Sequence, residues 1–415
     1  MELTKVKLSD VARVEISGVD KKSKPGQKSV RLCNFVDVYH NWAITQDMRD
    51  SFMEATASDK EIEALSIKKG QVAFTKDSET RDDIGIPTYI ADDFDDVVLG
   101  YHNALITPDE RKLNGKYLNA FMHSSYIQKY FENNASGSGQ RYTLSNDTVN
   151  SIPILLPTIK EQEKIGNLFS FIDRKIALNK KMNQKLEAMA KRLYDYWFVQ
   201  YDFPDKNGHP YKTTSGPMTY NPTLKREIPV GWDDGVLSDI ANITMGQSPD
   251  GSSYNEDGEG IIFYQGSTDF GMRFPTVRQY TTAPTRFAKK GDILMSVRAP
   301  VGAVNIANTD CCIGRGLSAL NSKLGSLSHL YFLIDVFKKT FENKNTVGTT
   351  FGSITKDELY ALPVVIPDKN VIEQFEKMAK PIFDRQMKLG EESNRLTKLR
   401  DKLLPLLMNG QVAVA

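Results

Sequence analysis

The sequence predicts an α+β chain. Two similar domains, mostly strand with a few helices, are separated by two long antiparallel helices that pair as a coiled-coil spacer around an internal pseudo-twofold. Three observations lead there. Apolar residues recur three or four apart at Ile165, Leu168, Ile172, Ile176, Met182, Leu186, Met189 and Leu193, and again at Phe375, Met378, Ile382, Leu389, Leu396, Leu399, Leu403 and Leu406. Both runs follow one pattern: Ile152-Pro153-Ile154-Leu155-Leu156-Pro157 before the first, Leu362-Pro363-Val364-Val365-Ile366-Pro367 before the second. Upstream, Leu8-Ser9-Asp10-Val11-Ala12 returns as Leu237-Ser238-Asp239-Ile240-Ala241, and Lys68-Lys69-Gly70 returns as Lys289-Lys290-Gly291. The chain reads as a tandem duplication.

Residues 1–157 form the first domain. Short β-branched runs at 71–75 and 87–90 are bounded by Gly, Pro and Asp, as strands are. A helix is predicted near 115–133, followed by the Gly/Ser stretch 134–142. Residues 158–200 are the first long helix, with Thr158 as N-cap behind Pro157 and Gly166 as its one glycine. Residues 201–232, rich in Pro, Gly, Asn, Thr and Tyr, are a linker closing on Ile228-Pro229-Val230-Gly231-Trp232. Residues 233–367 repeat the first domain, with strands at 292–297 and 302–307, a helix near 328–342 and a Gly/Thr loop at 345–352. Residues 368–415 are the second long helix and a tail. The shared stripe should bury Ile165, Leu186, Leu193, Phe375, Leu396 and Leu403.

Composition narrows the chemistry. With 53 Lys and Arg against 52 Asp and Glu the chain is no polycation, so any nucleic-acid contact must come from local patches. One such patch is the first helix, where Lys and Arg outnumber acids between Lys160 and Arg192. The absence of a long apolar run points to the cytoplasm. The three cysteines suit small buried hydrophobes. The histidines lack metal spacing, so no metal is expected. There is no phosphate-binding Gly-Lys loop, and Asn221-Pro222-Thr223-Leu224 fails as an adenine-methyltransferase motif. Asp92-Asp93-Phe94-Asp95-Asp96 reads as a solvated acidic turn held away from DNA.

Two globular copies, each ending in Pro-apolar-Pro, then Glu-Gln (Glu161-Gln162, Glu373-Gln374) and a long helix, resemble the specificity subunit of type I restriction-modification systems. The Ile228-Pro229-x-Gly231-Trp232 approach to the second copy adds to the resemblance. It implies that each copy is a target-recognition domain reading one half of a split sequence in double-stranded DNA. The helices would set the gap and dock two methyltransferase subunits, with motor/endonuclease subunits joining the larger complex. The chain would be non-catalytic by itself and bind no cofactor, with S-adenosylmethionine, ATP and Mg2+ belonging to the partners. Two other readings stand beside this one: a self-contained restriction or methylation enzyme, and a helical scaffold without DNA function.

Base edges are read by side chains that donate and accept, held on loops of a rigid frame. In the first copy the candidates are Arg31, Asn34, Lys76, Arg81, Ser138, Gln140, Arg141 and Tyr142. In the second they are Gln265, Arg298, Arg315, Lys344, Thr349 and Thr350. Arg31-Leu32-Cys33-Asn34 is aligned with Phe263-Tyr264-Gln265-Gly266. The glycines beside Arg141 favour a phosphate role for that side chain over base readout.

Overall fold

The two Lys-Lys-Gly strings make the same turn, and that turn shows how far the duplication reaches. Gly70 and Gly291 take φ of +93° and +94°, a conformation few other residues adopt. In the first copy Lys68 N donates to Gln71 Oε1 and Lys69 N to Asp93 Oδ1. In the second, Lys289 N donates to Asp292 Oδ2 and Lys290 N to Asp310 Oδ1. The acidic run is therefore not merely solvated: Asp93 caps this turn, Asp92 accepts from Gln46 N, and Asp96 pairs with Arg49.

The computed structural model describes residues 2–138, 141–338, 341 and 352–414. They fall into two compact units, Met1–Leu178 with Asn394–Ala415, and Asn179–Ser393, and each long helix contributes to both. In the first unit a five-stranded sheet runs in the order Ala12–Ile16, Asn103–Pro108, Val72–Thr75, Pro87–Ile90, Ala43–Ile44. A three-stranded sheet of the same unit runs Met53–Ala57, Lys28–Cys33, Val97–Leu99. In the second unit the counterparts are a four-stranded sheet (Ala241–Met245, Leu317–Ser322, Ile293–Ser296, Val304–Ile306) and a five-stranded one built around Ile261–Tyr264. Each domain closes on itself, because its first and last strands pair antiparallel: Thr4–Lys7 with Pro153–Leu156, Asp233–Val236 with Pro363–Ile366.

The long helices run Ile159–Tyr194 and Lys369–Met408. Thr158 caps the first, its Oγ1 accepting from Glu161 N at 3.4 Å while Glu161 Oε2 accepts from Thr158 N at 3.0 Å. A π turn, Asp195–Val199, carries it to residue 199. Within each unit the two helices run antiparallel. In the first, Ile165 and Phe169 share a core with Leu404, Leu407 and Met408. In the second, Asn179 Nδ2 donates to Glu392 Oε2 at 2.9 Å, and Gln386 Nε2 to Asn183 O at 3.2 Å.

The apolar stripe is buried less evenly than its spacing predicts. Ile165 and Phe375 are enclosed, but Leu186, Leu193, Leu396 and Leu403 are half-buried, and Met189, Met378 and Leu399 are exposed. Two facing helices leave the edges of their seam open, whereas the side turned to a domain is covered completely. Ala190, Tyr194, Trp197 and Phe375 thus pack with Leu330 and Phe332 of the second domain and with Trp232 just before it. The seam itself encloses Asn179, Asn183 and Gln386, which no apolar-stripe argument anticipates.

Residues 201–232 are not an open linker. They fold on the second unit as a hairpin, Met218–Asn221 with Arg226–Pro229, and Asp202 accepts from Thr213 N and Oγ1. Phe203 stacks on Tyr211 and Trp232 at 4.6 and 5.0 Å. The helix predicted near 115–133 is two, Gly115–Met122 and Ser125–Asn134. Cys33, Cys311 and Cys312 are free and buried, as expected. Among the described residues no helix is long and apolar enough to cross a membrane.

Two expectations follow from this packing. Phe375→Ala should cost about 3–5 kcal/mol, while Met378→Ala, half exposed on the same helix, should stay within about 0.5 kcal/mol. Chemical denaturation read by tryptophan fluorescence checks both. The second concerns pH. Burial holds the imidazoles of His123 and His329 down to about 3. The unfolded chain takes up these protons near 6.5 and the folded chain only near 3, so this stability is complete above 6.5 and lost as pH falls. Asp173, raised by burial to about 6, works in the opposite sense, its contribution being lost as pH rises through 6. Two histidines outweigh it, so the melting temperature should drop between pH 7 and 5. His123→Phe, which keeps the stack on Trp42, should make that drop shallower; an unchanged slope refutes the assignment.

Candidate nucleic-acid interface

In the first domain the described part of the Gly/Ser stretch is largely strand. Ser136–Ser138 pairs with Arg141–Thr143, and Asp77–Ser78 adds a third strand. Gly137 has φ +142°, and a Cβ there would lie 2.1 Å from Arg141 O, so no other residue fits without moving the hairpin. This sheet gathers four of the predicted residues. Lys76 Nζ donates to Thr143 Oγ1 at 2.9 Å, and the Arg81 guanidinium stands 5.0 Å from the Tyr142 ring centroid. Arg141 Nη2 lies 3.3 Å from Asp77 Oδ2 and also meets the His102 ring, with its side chain still half exposed. Burial works to raise the Asp77 carboxyl. The hydrogen bonds from Thr143 and His102 and the charges of Lys76 and Arg141 outweigh it and hold the group below the usual range.

Arg31 and Asn34 do not join this group. Arg31 donates to Phe52 O at 3.1 Å and pairs with Glu54 at 3.6 Å. Asn34 is 7 % exposed and caps the helix Phe35–His40, its N–H donating to Asp37 Oδ2 at 2.8 Å. Its side chain is enclosed at the start of that helix. Gln140, Lys344, Thr349 and Thr350 lie outside the described residues, as does the Ser138 side chain.

In the second domain three candidates converge on one glycine turn. Gly314 N donates to Tyr264 O, Gly316 N to Gln265 O, and Val297 N to Gly316 O, which brings the exposed Gln265, Arg298 and Arg315 to adjacent backbone. Ser248 organises the group: its Oγ accepts from Gln265 Nε2 at 3.0 Å and from Arg315 N at 3.2 Å. The turn needs its glycines, since a Cβ on Gly246 would lie 2.2 Å from Gly314 O and one on Gly316 2.6 Å from Gln265 O. Ser248, Asp77 and His102 were not singled out by sequence reasoning. No sequence pattern marks them, because each meets its partners only through the fold.

The two clusters occupy equivalent places. Lys76 N donates to His102 O as Val297 N donates to Gly316 O, and Leu144 N to Lys76 O as Ile354 N to Val297 O. Gly100 N donates to Cys33 O as Gly314 N does to Tyr264 O, with Cys33 opposite Leu99 and Tyr264 opposite Ile313 in parallel ladders. Arg31-Leu32-Cys33-Asn34 therefore aligns with Ile262-Phe263-Tyr264-Gln265, one residue away from the alignment read off the sequence.

The family description "Type I restriction modification DNA specificity domain" matches residues 2–188 and again 229–401, one match for each copy of the repeat. The chain belongs to this family. It is 28% identical over 319 residues to the putative type I restriction enzyme MjaX specificity subunit of Methanocaldococcus jannaschii, covering 76% of this chain and 72% of that one. The type I restriction enzyme HindI specificity subunit of Haemophilus influenzae is 23% identical over 404 residues, covering 84% and 87%. The crystal structure of a type I restriction-modification S subunit from M. genitalium superposes with a TM-score of 0.60 at 14% identity, covering 98% and 96%, and shares the fold. As a type I specificity protein this chain supplies DNA recognition through two domains and does not itself catalyse.

Proposed function

We propose that residues 1–157 and 233–367 each read one half of a split DNA site, and that helices 158–200 and 368–415 set the gap and dock two methyltransferase subunits, with 201–232 joining the halves. The observation that carries this is the shared backbone frame of the two clusters: Lys76 stands where Val297 stands, Asp77 where Arg298 stands and Tyr101 where Arg315 stands, so one frame presents different side chains in each domain. Motor/endonuclease subunits complete the assembly, which works in the cytoplasm. S-adenosylmethionine, ATP and Mg2+ are held by the partner subunits.

Lys76, Arg81, Arg141 and Tyr142 form the first contact surface, and Gln265, Arg298 and Arg315 the second. Arg31 instead binds within its own sheet, to Phe52 O and Glu54. The exposed groove of about 720 Å³ between Met189, Leu193, Tyr196, Met378 and Ile382 supports a docking role for the helices. Ile165 and Phe375 serve helix and domain packing instead, and Leu186, Leu396 and Leu403 remain half-buried along the pairing seam.

Arg141 already has Asp77 and His102 as partners, which suits holding a phosphate. Arg141→Ala should weaken binding to all DNA sequences equally, with the salt slope falling by about one. Arg315 projects from a rigid glycine turn beside Gln265, as a base reader would. Arg315→Ala should cost about 1–3 kcal/mol and relax discrimination at one position. Titrations at two salt concentrations on matched and mismatched sites separate these outcomes, and unchanged affinity in either variant removes that residue from the interface. Co-expression with the methyltransferase, followed by mass measurement, should give a complex of one specificity chain and two methyltransferase chains. Methylation or cleavage of DNA by the purified chain alone would instead establish a self-contained enzyme.

A further inference from the structure

The two copies hold their helices by different chemistry. Backbone bonding makes Trp42 and Arg273 equivalent, since Tyr89 N donates to Trp42 O as Ile306 N donates to Arg273 O, both at 2.9 Å. In the first unit the cation comes from the helix: Arg400 stands 5.0 Å from the Trp42 ring centroid, and His123 stacks on that ring at 4.0 Å. In the second unit the cation comes from the domain. Arg273, its side chain 3% exposed, meets Glu187 of the first long helix at 2.7 Å and Gln386 of the second. Its guanidinium lies 4.8 Å from the Tyr331 ring centroid and 4.7 Å from that of Phe383. Gln386 Nε2 also donates to Glu187 at 2.9 Å, so one domain side chain ties both helices together.

The neighbours of Arg273 leave little play. Phe274 packs where Gly390 makes room, as a Cβ on Gly390 would come within 2.6 Å of its ring. Asn305 stitches the loop to the strand Val304–Ile306, its Nδ2 donating to Gly271 O at 2.9 Å and its Oδ1 accepting from Gly271 N at 3.1 Å. A buried ion pair adds little net stability over apolar packing, but an arrangement that leaves one member buried and unpaired is strongly disfavoured. The Arg273 network therefore selects one stand of the domain on its helices against rotated or slipped ones.

We propose that Arg273 is a positioning residue that fixes the angle of the second domain on the helix pair, and through it the spacing at which the second half-site is accepted. This rests on the reading that the domain recognises a half-site. The test uses the full chain co-expressed with its methyltransferase subunit in a host stripped of its own DNA methyltransferases. The probe is the host genome, read by single-molecule sequencing of methylated adenine.

Wild type should mark two half-sites at one spacing. Arg273→Met keeps the bulk and removes the charged fork. It should mark the same half-sites, with methylation at the adjacent shorter and longer spacings raised about tenfold over wild type. A single unchanged spacing overturns the proposal, whether its occupancy is full or reduced, because simple loss of stability lowers occupancy without widening the spacing. Should that variant give no complex, Glu187→Gln, isosteric and only part-buried, takes its place: widened spacing supports the role of Arg273, and a single spacing overturns it. A wild-type complex that marks no two-part site refutes the half-site reading itself, and the role of Arg273 falls with it.

Discussion

The pairing of each domain's first strand with its last is the constraint on which the rest of the molecule depends. Leu8 N donates to Ile152 O at 2.9 Å and Leu237 N to Leu362 O at 2.8 Å, so each domain begins and ends at one place. Pro157 and Pro367 then end each closing strand, and one residue later the chain enters a long helix. With both ends held there, the loops between can diverge without disturbing the frame. That is how a duplicated scaffold comes to carry two unlike recognition surfaces.

The seam between the helices follows a second logic. An all-apolar seam would tolerate sliding by a turn, whereas Asn179 and Gln386, enclosed there, need particular partners, Glu392 for the first and the Asn183 carbonyl for the second. Buried polar groups of this kind lower stability relative to Leu and fix register in return. At the second domain the same preference appears as Arg273 with Glu187 and Gln386. At the first, Arg400 over Trp42 reverses the direction from which the cation arrives.

The candidate interface was partly visible in advance. Arg141 and Tyr142 stand out for their residue types beside glycines, Lys76 and Arg81 for following strands, and one small sheet brings the four together. Asn34, of a residue type that suits a base edge, is instead buried at the first turn of Phe35–His40, where its N–H donates to Asp37. His102 and Asp77 were invisible: they are 25 residues apart and meet only because neighbouring strands place them side by side.

From the sequence alone one could determine the duplication, the two long helices with their Pro-apolar-Pro approaches, and the absence of nucleotide and methyl-donor motifs. These are local or periodic features, written in residue type and spacing. Tertiary structure decided which face of each helix is enclosed, and that 201–232 is folded on the second unit. It also set the strand register, which lies one residue from the best sequence alignment. A side chain's burial depends on everything that packs against it, and a ladder's register on backbone bonds that every residue type can make. Neither is written in the spacing of residues along one strand or one helix.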